Sequence, residues 1–324
     1  MKKSLITGTT GMVGSHLAEY LLEKGEEVYG TRRWRSRMDN CKGFEDKINW
    51  VNMELQDAHS VRNAIEATKP DVIYHLAAQS YVVDSRDEPV ATIDINTNGT
   101  IHLLESVKEM KRREDYNPII HICSSSEVYG QVKEEEVPIK ESNPFRPASP
   151  YAIGKLGADM AARWYYEEYD LKTIRTRMFT HTGPRRGDVF VVSAFAKQIA
   201  KIEKGLQKPI MEVGNLESVR TFADVRDTVH AYYLLTKHCN PGEVYNIGGN
   251  RTMKIGEMLD ILLSFSPLES KIQIKVEPKL LRKTDVTLQI PDTTKFKKAT
   301  GWNSPIPLEK TLEDTLNYWR EEVK

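Results

Sequence analysis

Cysteine is nearly absent from this chain. Its 324 residues hold three, Cys41, Cys123 and Cys239, odd in number, far apart and without a Cys-x-x-Cys pair. That argues against a disulfide framework and a cysteine zinc site, and it fits a reducing compartment. Net charge is missing too, since 46 basic residues balance 46 acidic ones. No global field recruits nucleic acid or an anionic membrane, so any anion must be held by a local cluster. No apolar run approaches the roughly 20 residues that span a bilayer. Met1-Lys2-Lys3-Ser4 leads straight into an apolar strand, an arrangement in which no signal peptide is expected. The eight histidines show no ligand-like pairing, and His16, His75 and His121 read as packed or hydrogen-bonded residues, so no metal is expected. What these absences leave is a soluble, cytoplasmic protein, long enough for two domains or one large α/β unit.

What is present begins at the first strand. Ser4 to Thr7 is apolar and extended, Gly8, Gly11 and Gly14 follow at G-x-x-G-x-x-G spacing, and Ser15 to Lys24 is an amphipathic helix. Strand, glycine turn and helix in that order are the context of a dinucleotide fingerprint. Glycine lets the backbone approach a pyrophosphate, and the helix N-terminus offers amide donors and positive potential. The second strand, Glu27 to Gly30, ends in Thr31 and a basic run to Arg37. An acidic residue there would bind the ribose 2′-hydroxyl of NAD. Arg32, Arg33 and Arg35 with Ser36 stand in its place, and planar guanidiniums suit a 2′-phosphate. NADP is therefore expected over NAD, with a solvated basic loop as the other reading.

Further strands are expected over 47–51, 71–76, 118–123, 171–176, 209–213, 221–227 and 243–249. Helices are expected over 57–68, 96–111, 190–204 and up to Lys237. Nearly continuous apolar strands alternating with helices predict a parallel sheet covered on both faces, with ligands at the strands' carboxyl ends. Ser124 to Gly130 should lie in that crevice. So should Tyr151 and Lys155, four apart on a helix that starts near Pro150. A cation on the same face is expected to favour the phenolate and lower the pKa of Tyr151, as reversible oxidation of an alcohol requires. Cys123 reads as packing. The less regular C-terminal part predicts a smaller second domain. The expected division is 1–180 with 219–250 returning for the cofactor, and 181–218 with 251–324 for the substrate.

With these residues in place the chain resembles the extended short-chain dehydrogenase/reductases that act on nucleotide sugars, and within them the GDP-mannose 4,6-dehydratase family. The likeness runs through Thr31-Arg32-Arg33, Ala78-Gln79-Ser80, Ser126 to Gly130, Pro184 to Gly187 with Phe190, Gly214 to Leu216 with Arg220, and Arg282 with Asp285. The related GDP-4-keto-6-deoxymannose reductases are similar in Ala196 to Ile199 and Val213 to Glu217. The resemblance implies a Rossmann-type fold with a smaller α/β substrate domain. It implies cofactor contacts from Gly8, Gly11, Met12, Val13 and Gly14, from Leu55, Leu76, Ala77 and Ala78, and from Tyr151 and Lys155. It implies nucleotide-sugar contacts from Ser80, Ser85, Glu127, Arg185, Arg220, Arg282 and Asp285. It also implies a homo-oligomer, dimer or tetramer, in which the 32–38 loop with Trp34 reaches a neighbouring subunit.

In such enzymes Tyr151 takes the C4 hydroxyl proton while Ser125 holds that oxygen. A 4,6-dehydratase must then remove the C5 proton and expel the C6 hydroxyl as water. Glu127 stands at the position that matches the family's base. Some sugar dehydratases carry an aspartate just before it; here Ser126 is too weak an acid for that role, so Glu127 is expected to pass its proton to the leaving hydroxyl. A 4-keto reductase and a 4-epimerase are the alternatives within the fold, and Glu127 speaks against the epimerase. A nucleotide sensor without catalysis is the alternative outside it, disfavoured by the intact Ser125, Tyr151 and Lys155.

Overall fold

A computed structural model describes residues 1–281, 284 and 286–324. Seven parallel strands form its main sheet: β1 (Lys3–Thr7), β2 (Glu27–Arg32), β3 (Asn49–Asn52), β4 (Val72–His75), β5 (Ile119–Cys123), β6 (Thr173–Met178) and, after three strands placed elsewhere, β10 (Val244–Ile247). Their order is β10-β6-β5-β4-β1-β2-β3, so strand order reverses between β1 and β4, the place where such sheets open a crevice. The central strands are buried on both faces, which is why their sequences are apolar almost without alternation. Helices α1 (Met12–Glu23), α8 (Val225–His238) and α10 (Thr294–Thr300) cover one face through Leu17, Leu21, Tyr232, Leu235 and Phe296. On the other face lie α2 (Ala58–Thr68), α5 (Gly99–Glu114) and α6 (Pro150–Tyr169), packed through Ile65, Leu104, Val107, Ala158 and Tyr165.

Local chemistry sets several boundaries. The Asp57 carboxylate accepts from the amides of His59 and Ser60 and so starts α2. Ser149 accepts from the Ala152 amide at 3.1 Å and Pro150 occupies the first turn of α6. The helix expected from Asn96 begins only at Gly99, behind short helices α3 (Asp84–Asp87) and α4 (Pro89–Ile93) and a π-turn over Asp94–Asn98. The π-turn has a purpose: Asn96 accepts from the Gln79 amide at 2.9 Å and donates to the Gln79 carbonyl at 3.0 Å, fixing the loop after β4.

A smaller layer is built around α7 (Val191–Glu203), α9 (Ile255–Ser264) and α11 (Leu308–Glu322), with a core of Phe195, Ile199, Met258, Leu259, Leu312 and Leu316. Its second sheet joins β7 (His181–Thr182), β9 (Val219–Asp224), β11 (Arg251–Lys254) and β13 (Leu288–Gln289), while β8 (Ile210–Val213) pairs with β12 (Gln273–Val276). The strand expected to reach Asp227 stops at Asp224, whose carboxylate caps α8 by accepting from the Arg226 amide. Accordingly β9 pairs in the smaller sheet, and the chain returns to the large sheet from Val225. In the other direction, Phe296 and Trp302 come back to pack beneath the large sheet.

Candidate active site

A cavity of about 1000 Å³ opens at the carboxyl ends of β1, β2, β4 and β5. Its floor is the glycine turn. Gly8 has φ +73°, and a Cβ there would lie 2.9 Å from the Ala77 Cα. A Cβ on Gly14 would meet the Gly8 carbonyl oxygen at 2.3 Å, so neither position admits a side chain without moving backbone. Gly11 precedes α1 with no side-chain cap, which leaves the first amides of that helix directed at the cavity.

The structure brings together most of the expected cofactor set. Gly8, Gly11, Met12, Val13, Gly14, Arg32, Arg33, Ser36, Leu55, Leu76, Ala77 and Ala78 all line the cavity, as do Ser80, Ser125, Tyr151 and Lys155. Ser36 accepts from the Arg33 amide at 3.0 Å and tightens the basic loop. Arg35 departs from expectation: it is exposed and does not line the cavity, although it lies 3.7 Å from the carboxylate of Glu54, which does. In the same wall Gln79 Oε1 is buried without a partner, an acceptor left available to a ligand.

Ser125 sits at the end of β5 and shares a hydrogen bond with the Tyr151 phenol. Its hydroxyl also accepts from the Glu127 amide at 3.2 Å, capping the short 3₁₀ turn Ser126–Tyr129. Lys155 is buried one turn below Tyr151, and desolvation pushes its pKa below the usual lysine value. The expected lowering of the tyrosine pKa is not what this environment produces. Burial raises the Tyr151 phenol above its ordinary value and outweighs the hydrogen bond from Ser125 and the charge of Arg186, which both favour the phenolate. The cation that couples to the phenol in the resting protein is Arg186. Cys123 packs against the core as expected and, half-buried, also reaches the cavity wall, with its thiol 3.3 Å from the Tyr232 hydroxyl.

Glu127 lies just beyond this cavity. It faces a small adjoining hollow of about 20 Å³, which Arg86, Ser149, Arg220 and Thr284 also line. Its Oε1 accepts from Gln289 Nε2 at 3.3 Å. Arg220, on β9, shares that hollow and donates to the carbonyls of Val219 and Val286. Two expected substrate contacts are placed differently. Ser85 is fully buried and donates to the Val82 carbonyl at 2.6 Å, so it shapes its loop. Arg185, at φ +68°, lines the cavity on the glycine-turn side, where it pairs with Glu19 of α1 at 2.5 Å. Arg282 and Asp285 lie outside the described residues.

Further residues contribute to the site, of which Arg186 belongs to the Pro184 to Gly187 run already noted in the sequence. Arg186 lies 3.6 Å from the Phe190 ring centroid, and burial lowers its pKa to about 10. His181 is held neutral, with burial and the neighbouring Arg186 taking its pKa to about 4. Lys197 and Lys201 of α7, with Tyr318, Trp319 and Lys324 from the last helix and its end, form the outer rim. The two arginines in the Pro184–Gly187 loop are equivalent in sequence, and only the loop's path separates them. Nothing local in the sequence announces that α7 and α11 pack side by side.

A doubly wound parallel sheet, a glycine turn at its switch point and a serine–tyrosine–lysine cluster at the strand ends define a short-chain dehydrogenase/reductase of the extended type. The sequence pattern of the GDP-mannose 4,6 dehydratase family matches residues 5–315, and the chain belongs to that family. It is 32% identical over 322 residues to GDP-mannose 4,6 dehydratase 1 of Arabidopsis thaliana, covering 96% of this chain and 88% of the relative. It is 31% identical over 324 residues to GDP-6-deoxy-D-mannose reductase of Pseudomonas aeruginosa, covering 100% and 99%. Among solved structures it is similar to RMD from Pseudomonas aeruginosa complexed with NADPH, with a TM-score of 0.82 and 28% identity over the full length of both chains. UDP-glucose 4-epimerase of Thermotoga maritima has a TM-score of 0.86 at 27% identity, over 99% of this chain and 100% of that one.

Proposed function

We propose that this protein is an NADP-dependent nucleotide-sugar 4,6-dehydratase, a lyase that converts GDP-mannose to GDP-4-keto-6-deoxymannose. The observation that carries this reading is Glu127, a carboxylate two residues beyond Ser125 on the same capped turn, next to Tyr151 and facing a hollow shared with Arg220. The glycine turn, the uncapped start of α1, Arg32, Arg33 and Ser36 fit a phosphorylated dinucleotide, and the orphan Gln79 oxygen offers an acceptor to one of its donor groups. When bound, NADP supplies the acceptor for hydride from C4 and the source of hydride for C6.

The protein's own groups do the rest. Ser125 holds the C4 oxygen and Tyr151 accepts its proton; Lys155 and Arg186 stabilise the phenolate that serves as base. Once C4 is a ketone, the C5 proton is acidified. Glu127 takes that proton, and the electron pair left on C5 expels the C6 hydroxyl, which leaves as water after Glu127 returns the proton. Arg220, with Arg282, is the proposed partner of the diphosphate, where guanidiniums suit phosphate oxygens.

Incubation with GDP-mannose and catalytic NADP, followed by mass spectrometry, tests the assignment. The expected product has lost one water with no net NADPH consumed, and Glu127→Gln is expected to abolish that loss while C4 oxidation persists. Normal dehydration by Glu127→Gln would sink the reading. The 31% identity to a reductase over the whole chain favours a second reading, a 4-keto reductase, which would consume NADPH stoichiometrically. Three free cysteines support a cytoplasmic setting, and among the described residues no helix is long and apolar enough to cross a membrane. A homo-oligomer is supported by Trp34, 87% exposed on the basic loop. Light scattering checks it, and a monomer at working concentration would remove it.

A further inference from the structure

The carboxylate assigned as base is gripped by a residue from a distant part of the chain. Gln289 on β13 is 2% exposed. Its Oε1 accepts from the Ser126 hydroxyl at 2.9 Å, and its Nε2 donates to Glu127 Oε1 at 3.3 Å. Ser126 and Glu127 are neighbours on one turn, so a single amide spans both. Reversing the amide would set its oxygen against a carboxylate oxygen, and only the orientation with nitrogen toward Glu127 serves both partners. The strand that carries Gln289 is fixed in turn, paired in parallel with β9 so that Gln289 stands opposite Arg220.

We propose that Gln289 is a positioning residue for the elimination, its amide oriented by Ser126 so that it holds the Glu127 carboxylate in the rotamer that meets the sugar. This rests on the reading of Glu127 as the C5 base. A buried amide is suited to the task because it donates to the carboxylate without adding charge. An arginine in the same place would favour the ionised form so strongly that return of the proton to the leaving hydroxyl would suffer. The arrangement also gives Ser126 a use. Too weak an acid to protonate a leaving group, it fixes the amide that steers the acid beside it.

Among the described residues, the charged and titratable groups facing Glu127 include Tyr151 from α6, Arg86 from α3 and Arg220 from β9. None of them is altered by Gln289→Leu or Ser126→Ala, so changes in the pH profile of those variants report on the amide. In the full-length protein with GDP-mannose and NADP, Gln289→Leu is expected to slow water loss about ten-fold or more, the scale of losing a hydrogen bond to a charged group. The single-turnover rise in NADPH absorbance from C4 oxidation should persist. The acid limb of kcat should move to higher pH, because the carboxylate loses a donor that favours its charged form. Ser126→Ala should move both readouts the same way by less, and it decides the matter if Gln289→Leu does not fold. Unchanged water loss and an unchanged acid limb in folded variants overturn the proposal. Glu127→Gln run in parallel separates the two failures. If it dehydrates normally, the base assignment falls and this inference with it. If it is inactive while Gln289→Leu is unaffected, only the role of Gln289 falls.

Discussion

Tyr151 is a phenol that its own burial keeps protonated. At neutral pH the free protein therefore holds an acid at the place where oxidation of a sugar hydroxyl needs a base, and charge must be drawn in to reverse that preference. Arg186 and the Ser125 hydroxyl already pull toward the phenolate, and Lys155 stands one turn below. The sign of the pH dependence follows. Because the pKa is raised, the phenolate fraction grows as pH increases toward it, so the C4 oxidation rate is expected to climb with pH from neutral into the alkaline range. Single-turnover NADPH absorbance measures this, and a rate that falls with pH would contradict it. Tyr151→Phe is expected to lose roughly 10²- to 10⁴-fold in the same step, the usual share of a positioned acid or base. Its binding of GDP-mannose, followed by calorimetry, should change little, since the ring and its packing remain.

At the scale of elements, one helix and one strand are joined by charge. Tyr151, Lys155 and Asp159 recur every four residues on α6 and therefore share a face. Asp159 is completely buried and holds Arg175 at 3.1 Å and Arg177 at 2.9 Å, both from β6. Arg177 continues to the Tyr129 hydroxyl at 3.0 Å, at the end of the turn that carries Glu127. Thus the helix bearing the phenol and the turn bearing the base are tied through three side chains, Asp159, Arg177 and Tyr129. Asp159→Asn would leave two buried guanidiniums short of their counter-charge, and breaking such a pair costs about 3–5 kcal/mol. A urea titration should show the lower midpoint. An unchanged midpoint would mean that the apolar contacts of Ala158, Ala162 and Tyr165 hold α6 unaided.

Across the whole molecule, buried histidines govern behaviour in acid. His75 bridges the Thr7 and Thr100 hydroxyls, and His121 meets the Thr176 hydroxyl at 2.8 Å. Burial, with Lys155 nearby, lowers the pKa of each to about 3. In the unfolded chain both titrate near 6.5 and bind protons that the folded protein refuses. Stability is therefore complete above about pH 6.5 and is lost as pH falls toward the folded values. Well below 6.5 the two sites together should cost about 3 kcal/mol per pH unit. Melting temperatures recorded from pH 7 to pH 5 should fall steeply at the acid end, and a flat profile would count against two neutral, buried rings. The sequence by itself determined the parallel sheet, the glycine turn and the tyrosine–lysine helix, because strand hydrophobicity, turn geometry and helical spacing are properties of neighbouring residues. Its resemblance to the dehydratase family also marked Glu127, at the position that matches the family's base. Only the tertiary structure decided that Arg186 rather than Arg185 faces the phenol, that Tyr151 rests protonated, and that Gln289, 162 residues away, grips Glu127. Burial and long-range pairing arise when distant segments pack together, and no local pattern of residues encodes them.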